Sequence, residues 1–309
     1  MGDEKSVPLS IHQAIARKDR SAVSRALFSS PEALLSRDDE QRTPICVAAA
    51  MGDVSILAAL LRRAASLNSA SRPFDLPDGS GLTPLHWAAM EQKCEALQLL
   101  LQHGADAEAQ DEDGRTALHT VAFGANPQCL SLLIPHISCE GINTPSFDGL
   151  TPLHYAALGG SVPCVTMLLE ARAAVDAVDE DGRTPLSWAA SESHDGVLIS
   201  LLRARADASA VDKNAMTPLH HAAKSATLAC VQLLLRGGSN ALKRTVGGML
   251  PEEMARARAG QVGLEIAATL RSASESEAMR LQEVILAEER LAKTDTTLIV
   301  ATPPASARS

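Results

Sequence analysis

The chain has 309 residues, a formal net charge of −9, and only 2% aromatic residues within a hydrophobic content of 46%. Its core must therefore be assembled from Ala and Leu at close helix spacing, which a stacked helical array provides. No apolar run reaches the length of a membrane-spanning helix, the opening Met1 to Ser6 stretch lacks the apolar segment of a secretory signal, and an acidic chain repels phosphate backbones. The expectations are no membrane span, no nucleic-acid partner, and a cytoplasmic or nuclear compartment.

From the N-terminus, residues 1–8 read as a tail. Met1-Gly2-Asp3-Glu4-Lys5-Ser6 fits the loose N-myristoylation pattern at Gly2, although Asp3 and Glu4 oppose a membrane surface. A degenerate unit follows, with Leu9 and Ser10 before Ile11, His12, Ala14, Asp19, Val23 and Leu27. Then Thr-Pro-Leu-His-aromatic-Ala-Ala appears at Thr83 and returns at Thr151, with variants at Thr43, Thr116, Thr184 and Thr217. The intervals between these threonines are 40, 33, 35, 33 and 33 residues. At fixed offsets behind each one stand apolar residues spaced as one helical face, among them Leu57/Leu60/Leu61, Leu97/Leu100/Leu101 and Val165/Leu168/Leu169. Each unit reads helix, turn, helix, finger loop. Gly104 and Gly238 suit a left-handed exit from the second helix, whereas Arg172 and Arg205 in the same slot predict mild strain.

The longest interval inserts seven residues near 68–74, and the 35-residue interval adds two around 137–144. Leu250-Pro251 opens a closing unit whose second helix runs through Leu264, Ile266 and Leu270. A separate charged helix is predicted over 274–293, to dock on the last repeat, pair with another helix, or fray. The 294–309 stretch, with Pro303-Pro304, predicts disorder.

Residues from about Leu9 to Arg271 resemble an ankyrin-repeat domain, on the Thr-Pro-Leu-His motifs and on fingers such as Asp111-Glu112-Asp113-Gly114-Arg115-Thr116 and Asp179-Glu180-Asp181-Gly182-Arg183-Thr184. The resemblance implies an all-α solenoid of about eight repeats, with motifs starting near 9, 43, 83, 116, 151, 184, 217 and 250. It also implies that His86, His119, His154 and His220 bond the threonine of their own motif and the neighbouring loop. Cys46 and Ser187 replace that histidine in two repeats, so those fingers are expected to be held less firmly. Cys129, Cys164 and Cys230 share one offset and are expected as buried small hydrophobes rather than as disulfide or metal partners. No phosphate loop, metalloprotease helix or nucleophile elbow is present, so no enzyme activity and no cofactor are expected.

Function then rests on positions that vary between repeats. Trp87, Tyr155 and Trp188 are the only Trp and Tyr residues, and all three occupy the slot after the His (or after Ser187); Val47, Thr120 and His221 fill it elsewhere. Phe123 lies three residues farther along its helix and Phe147 sits in a finger. Half-exposed rings in a groove are the usual anchors of an interface, although rings in this slot also serve simply to cover the next repeat. Asp111, Glu112, Asp113, Asp179, Glu180 and Asp181 place carboxylates in a row beside the groove, either to steer a basic partner or to keep the solenoid soluble. Phe74 and Leu76 stand in the longer loop, as a further contact or a neutral insertion.

The leading reading is a scaffold or adaptor holding a basic or mixed apolar/basic protein segment in its concave groove. Resemblance to IκB or kinase-inhibitor ankyrin proteins implies instead a stoichiometric inhibitor, and a substrate adaptor for a ligase or transferase is a third reading. The order of motifs is similar to ankyrin arrays of the inversin type, which implies a cilium or flagellum.

Overall fold

The computed structural model describes residues 10–66, 72–225, 227–258 and 260–300. Within them sixteen α-helices form eight pairs. These are α1 (Ile11–Ala16) with α2 (Arg20–Ser29), α3 (Pro44–Met51) with α4 (Val54–Ser66), α5 (Pro84–Met90) with α6 (Cys94–Gln102), and α7 (Ala117–Phe123) with α8 (Pro127–Leu133). Then come α9 (Pro152–Leu158) with α10 (Val162–Glu170), α11 (Pro185–Ser191) with α12 (Asp195–Arg203), α13 (Pro218–Ser225) with α14 (Leu228–Arg236), and α15 (Pro251–Ala257) with α16 (Gln261–Val300).

Six of the eight first helices start directly after a motif threonine, α1 and α15 following Ser10 and Leu250 instead. Thr43, Thr83 and Thr184 accept the third backbone N–H of α3, α5 and α11, and Pro follows at the position whose N–H would be orphaned anyway. First helices stack on first helices, as α3 on α5, α7 on α9 and α11 on α13, while second helices stack in a parallel layer behind them. The interface is Ala on one side and Leu on the other. Ala88, Ala89, Ala156 and Ala157 are buried in the first layer, and Leu57, Leu97, Leu130, Val165, Leu198 and Val231 are buried in the second. Each buried Leu contributes roughly 1.5–3 kcal/mol, so stability is spread along the array.

The fingers are stitched to one another by backbone bonds. Glu112 N–H donates to Ser80 O, Phe147 to Asp113 O, Glu180 to Asp148 O, Lys213 to Asp181 O and Val246 to Asn214 O, at 2.8–3.2 Å. Arg172 and Arg205 do exit in the left-handed region, at φ 68° and 66°, beside Gly104 at 81° and Gly238 at 91°.

Two expectations need correction. Cys129 is bonded to Cys94 in a disulfide between neighbouring repeats, with Cα atoms 4.9 Å apart. Cys94 opens α6 and Cys129 lies in the first turn of α8, so the stacking of second helices brings them together; scanning for Cys-x-x-Cys could not find a pair 35 residues apart. Cys164 and Cys230 remain buried thiols. Second, no separate helix starts at Ser274, because α16 runs unbroken from Gln261 to Val300. Its first half docks on the last repeat: Ser274 Oγ donates to Ala241 O at 3.4 Å, and Glu277 Oε2 accepts from Ala241 N–H at 3.0 Å. Residues 294–300, expected to be disordered, belong to that helix, and 301–309 lie outside the described residues. In the longer loop, Phe74 sits in a short 3-10 turn, Pro73–Asp75, packed partly buried against the core with the Arg72 guanidinium 5.3 Å from its ring centre, and Leu76 is half-buried. The N-terminal tail and Gly2 lie outside the described residues.

Candidate functional site

The finger loops show why some slots carry rings. Five residues before the motif threonine stands a carboxylate, at Asp38, Asp78, Asp111, Asp179 and Asp212. In each, Oδ1 accepts two backbone N–H groups of its own finger, as Asp179 does from Asp181 and Arg183 at 2.9 and 2.8 Å. The second oxygen then needs its own donor. Arg42 Nε supplies it to Asp38 and Arg115 Nε to Asp111, while Trp87 Nε1 serves Asp78, Trp188 Nε1 serves Asp179 and His221 Nε2 serves Asp212, all at 2.9–3.0 Å. Burial raises the Asp38 carboxyl, but the bonds from Arg42 outweigh it and hold the group below its ordinary value. Trp87 and Trp188 are therefore framing residues as well as half-exposed rings, each covered by a guanidinium, Arg42 at 5.3 Å and Arg183 at 4.9 Å. Tyr155 stands apart: its finger has Ser146 in place of the carboxylate, and its ring packs edge-on to His119 and Phe123 at 5.3 and 6.2 Å.

The row of three carboxylates per finger is not what the structure presents. Asp111 and Asp179 turn inward, 5% and 8% exposed, leaving Glu112, Asp113, Glu180 and Asp181 at the surface. Asp113 is paired with Arg115 at 2.6 Å and Asp181 with Arg183 at 2.8 Å, so Glu112 and Glu180 are the less compensated charges.

The histidines behave as the resemblance implied. Nδ1 of His86, His119, His154 and His220 accepts from the backbone N–H of Thr83, Thr116, Thr151 and Thr217, and Nε2–H donates to the carbonyl of Arg115, Leu150, Arg183 and Met249 in the next repeat. Both bonds fit the neutral ring. Burial pushes all four below the ordinary imidazole range, His119 to about 4. His12 makes the same reach to Arg42 O at 3.1 Å, which its offset in the degenerate first unit could have signalled. Ser187 is too short for that span and bonds Thr184 instead.

What remains open on the first-helix face is a row of apolar side chains. Phe123 is 53% exposed, Met90 44% and Phe147 67%; Phe147 rests on Gly114, where an added Cβ would meet its ring at 2.7 Å. Thr120 is half-buried within this row and His221 is buried, so of the two only Thr120 offers surface. Met90 was missed in the sequence, although it occupies the same offset as Phe123 one repeat earlier. Among the described residues, no group of three or more His, Cys, Asp or Glu could hold a metal ion, and no helix is long and apolar enough to cross a membrane.

Comparison with known proteins agrees with this geometry. Inversin of Gallus gallus is 31% identical over 139 residues, 45% of this chain but 12% of that protein. The chain thus spans about a tenth of the curated relatives it matches first. The crystal structure of the ankyrin repeat domain of Bcl-3, described as a unique member of the IkappaB protein family, superposes with a TM-score of 0.61 at 26% identity, covering 74% of this chain and 99% of that one. The human ASB11 ankyrin repeat domain superposes with a TM-score of 0.63 at 22% identity over 75% of this chain and 98% of that one, a likeness of fold. Ankyrin repeats are protein-interaction modules. Their family model, "Ankyrin repeats", matches three times, over residues 11–111, 94–179 and 171–245, so the chain belongs to the ankyrin-repeat family.

Proposed function

We propose that the chain is a non-enzymatic scaffold or adaptor that holds a segment of another protein along the face made by its first helices and fingers. The observation that carries this is the open apolar row of Met90, Phe123 and Phe147 beside the exposed Glu112, Asp113, Glu180 and Asp181. Large side chains left half in water at the centre of a concave surface gain most from a partner that desolvates them. The carboxylates beside them favour a segment with lysines or arginines among its apolar residues. Trp87, Tyr155 and Trp188 frame this row, and the first and last of them also secure their fingers.

A second reading, an inhibitor that masks a partner's surface, is supported by the likeness to the Bcl-3 repeat domain. An adaptor would need residues beyond Glu277 for a second partner; an inhibitor would act without them. Proximity labelling in the native cell, then affinity capture with wild type and a Met90→Ala/Phe123→Ala variant, tests the site. Loss of specific partners from a variant that melts normally supports the groove. An unchanged partner set would sink it. Repeating the capture after truncation at Glu277 separates the adaptor from the inhibitor.

A further inference from the structure

The chain is acidic overall, yet the outer surface of its first two repeats is basic. Lys18, Arg20, Arg25 and Arg62 are exposed there, on α2, α4 and the turn before α2. Two open concavities run along the seam between α2 and α4 and meet at Arg62. One, of about 620 Å³, is lined by Lys18, Arg20, Asp53 and Glu95 among others. The other, of about 550 Å³, is lined by Leu27, Phe28, Ala59 and Arg63. Phe28 is 92% exposed, whereas its helix neighbours Val23 and Leu27 are buried, so the core already has its side chains and this ring stands outside it.

The local carboxylates do not neutralise the seam. Asp19 accepts the Ala22 N–H as the cap of α2, and Asp53 accepts from Ser55 and Ile56 at the start of α4, with Arg20 3.8 Å away. Among the described residues Lys18, Arg25 and Arg62 have no carboxylate within ion-pair distance. Only Glu95 lies at the edge uncommitted to a cap. The thirteen residues of α4 make the seam about 20 Å long. Because α2 and α4 are second helices, it lies on the side of the solenoid opposite the first-helix groove.

We propose that this seam is a second docking surface, for an acidic segment of another protein that sets a large apolar residue against Phe28. Spaced carboxylates on such a segment match Lys18, Arg20 and Arg62, which line the seam, while Asp53 and Glu95 interrupt it against a continuous phosphate surface. The inference stands apart from the groove reading: the groove offers carboxylates to a basic segment, and the seam offers guanidinium groups to an acidic one. A chain with both surfaces can hold two unlike partners at once.

The test uses the whole chain and two fluorescein-labelled peptides of about 14 residues, one with Glu flanking a central Leu-Phe pair, the other with Lys in place of Glu. By anisotropy the Glu peptide should bind and the Lys peptide should not compete with it. Lys18→Glu/Arg62→Glu should weaken binding at least about tenfold and Phe28→Ser about fivefold, with unchanged circular dichroism, whereas Phe123→Ala should leave it intact. Raising salt from about 50 to about 200 mM should weaken the wild type more than the charge-reversed variant. Failure of the wild type to bind the Glu peptide, or equal binding by the charge-reversed variant, overturns the proposal. So does sedimentation of the chain with phosphatidylserine vesicles through these same residues when the peptide does not bind.

Discussion

The indole N–H of Trp188 donates to Asp179 Oδ2 at 2.9 Å, while Oδ1 of the same buried carboxylate caps two backbone N–H groups of its finger. A ring that the sequence offers as a binding anchor is thereby part of the frame that holds its loop. Trp188→Phe keeps an aromatic, though smaller, ring and deletes the donor, leaving a buried carboxylate oxygen unpaired. It should cost about 1–3 kcal/mol in urea unfolding and speed amide exchange at Gly182 and Arg183. No change in either would mean that the bond contributes nothing. Trp188→Ala, which removes ring and donor together, should lower stability as well.

Phe123 is the cleaner probe of the groove, because it is 53% exposed and meets the Tyr155 ring edge-on. Phe123→Ala should leave unfolding free energy within about 0.5 kcal/mol of wild type while lowering affinity for the groove partner by about 2 kcal/mol. A variant that unfolds early yet binds normally would return Phe123 to a packing role.

Acid should weaken the array through its histidines. His86, His119, His154 and His220 are all held below the ordinary imidazole range by burial, His119 at about 4. Since the unfolded chain takes up the proton first, stability is full above about pH 6.5 and falls as the pH drops toward 4. For His119 alone the complete loss is on the order of 3 kcal/mol. Urea midpoints should hold level from pH 7.5 to about 6.5 and then decline to pH 4.5, a window mostly above the carboxylate titrations; a flat profile throughout would contradict the neutral bridging rings.

Much of this frame was legible because a repeat announces itself at fixed offsets. Thr83 and His86 specify a helix start and a bridge to the next finger within four residues, and the same four residues recur, so local chemistry and tertiary contact are read together. The Cys94–Cys129 bond was not legible, since it depends on how far one second helix is shifted along its neighbour. Nor was the inward turn of Asp179, because an acid in an acidic loop looks the same whether it caps backbone or faces water. The unbroken α16 was hidden by a change of composition at Ser274 that alters the helix surface without ending the helix.

The disulfide closes a segment 35 residues long between its ends, for which chain-entropy reasoning gives roughly 2–4 kcal/mol. Unfolding with and without a phosphine reductant should differ by that amount, and Cys94→Ser/Cys129→Ser should abolish the difference. Peptide mapping without reduction should recover the two cysteines linked and Cys46, Cys139, Cys164 and Cys230 as free thiols. Free Cys94 in protein taken from its native compartment would instead fit the reducing cytosol, where such bonds are uncommon.

Arg172 and Arg205 occupy at φ 68° and 66° a slot that Gly104 and Gly238 fill without strain. A residue with a Cβ is disfavoured there by roughly 1–2 kcal/mol, while glycine loses roughly 0.5–1 kcal/mol more through the entropy of the unfolded chain. Both arginines are exposed and neither forms an ion pair among the described residues, so little contact is lost on removing them. Arg205→Gly should therefore stabilise by about 0.5–1 kcal/mol, and Arg172→Gly should add to it because the two exits lie in separate repeats. Gly104→Ala is the reciprocal experiment: the nearest atom to an added Cβ is 3.9 Å away, so its loss would report backbone strain rather than a clash, without setting a second cation beside Arg72. If the arginine-to-glycine variants lose stability while Gly104→Ala also loses it, the aliphatic stems of Arg172 and Arg205 must cover apolar surface worth more than the strain they impose.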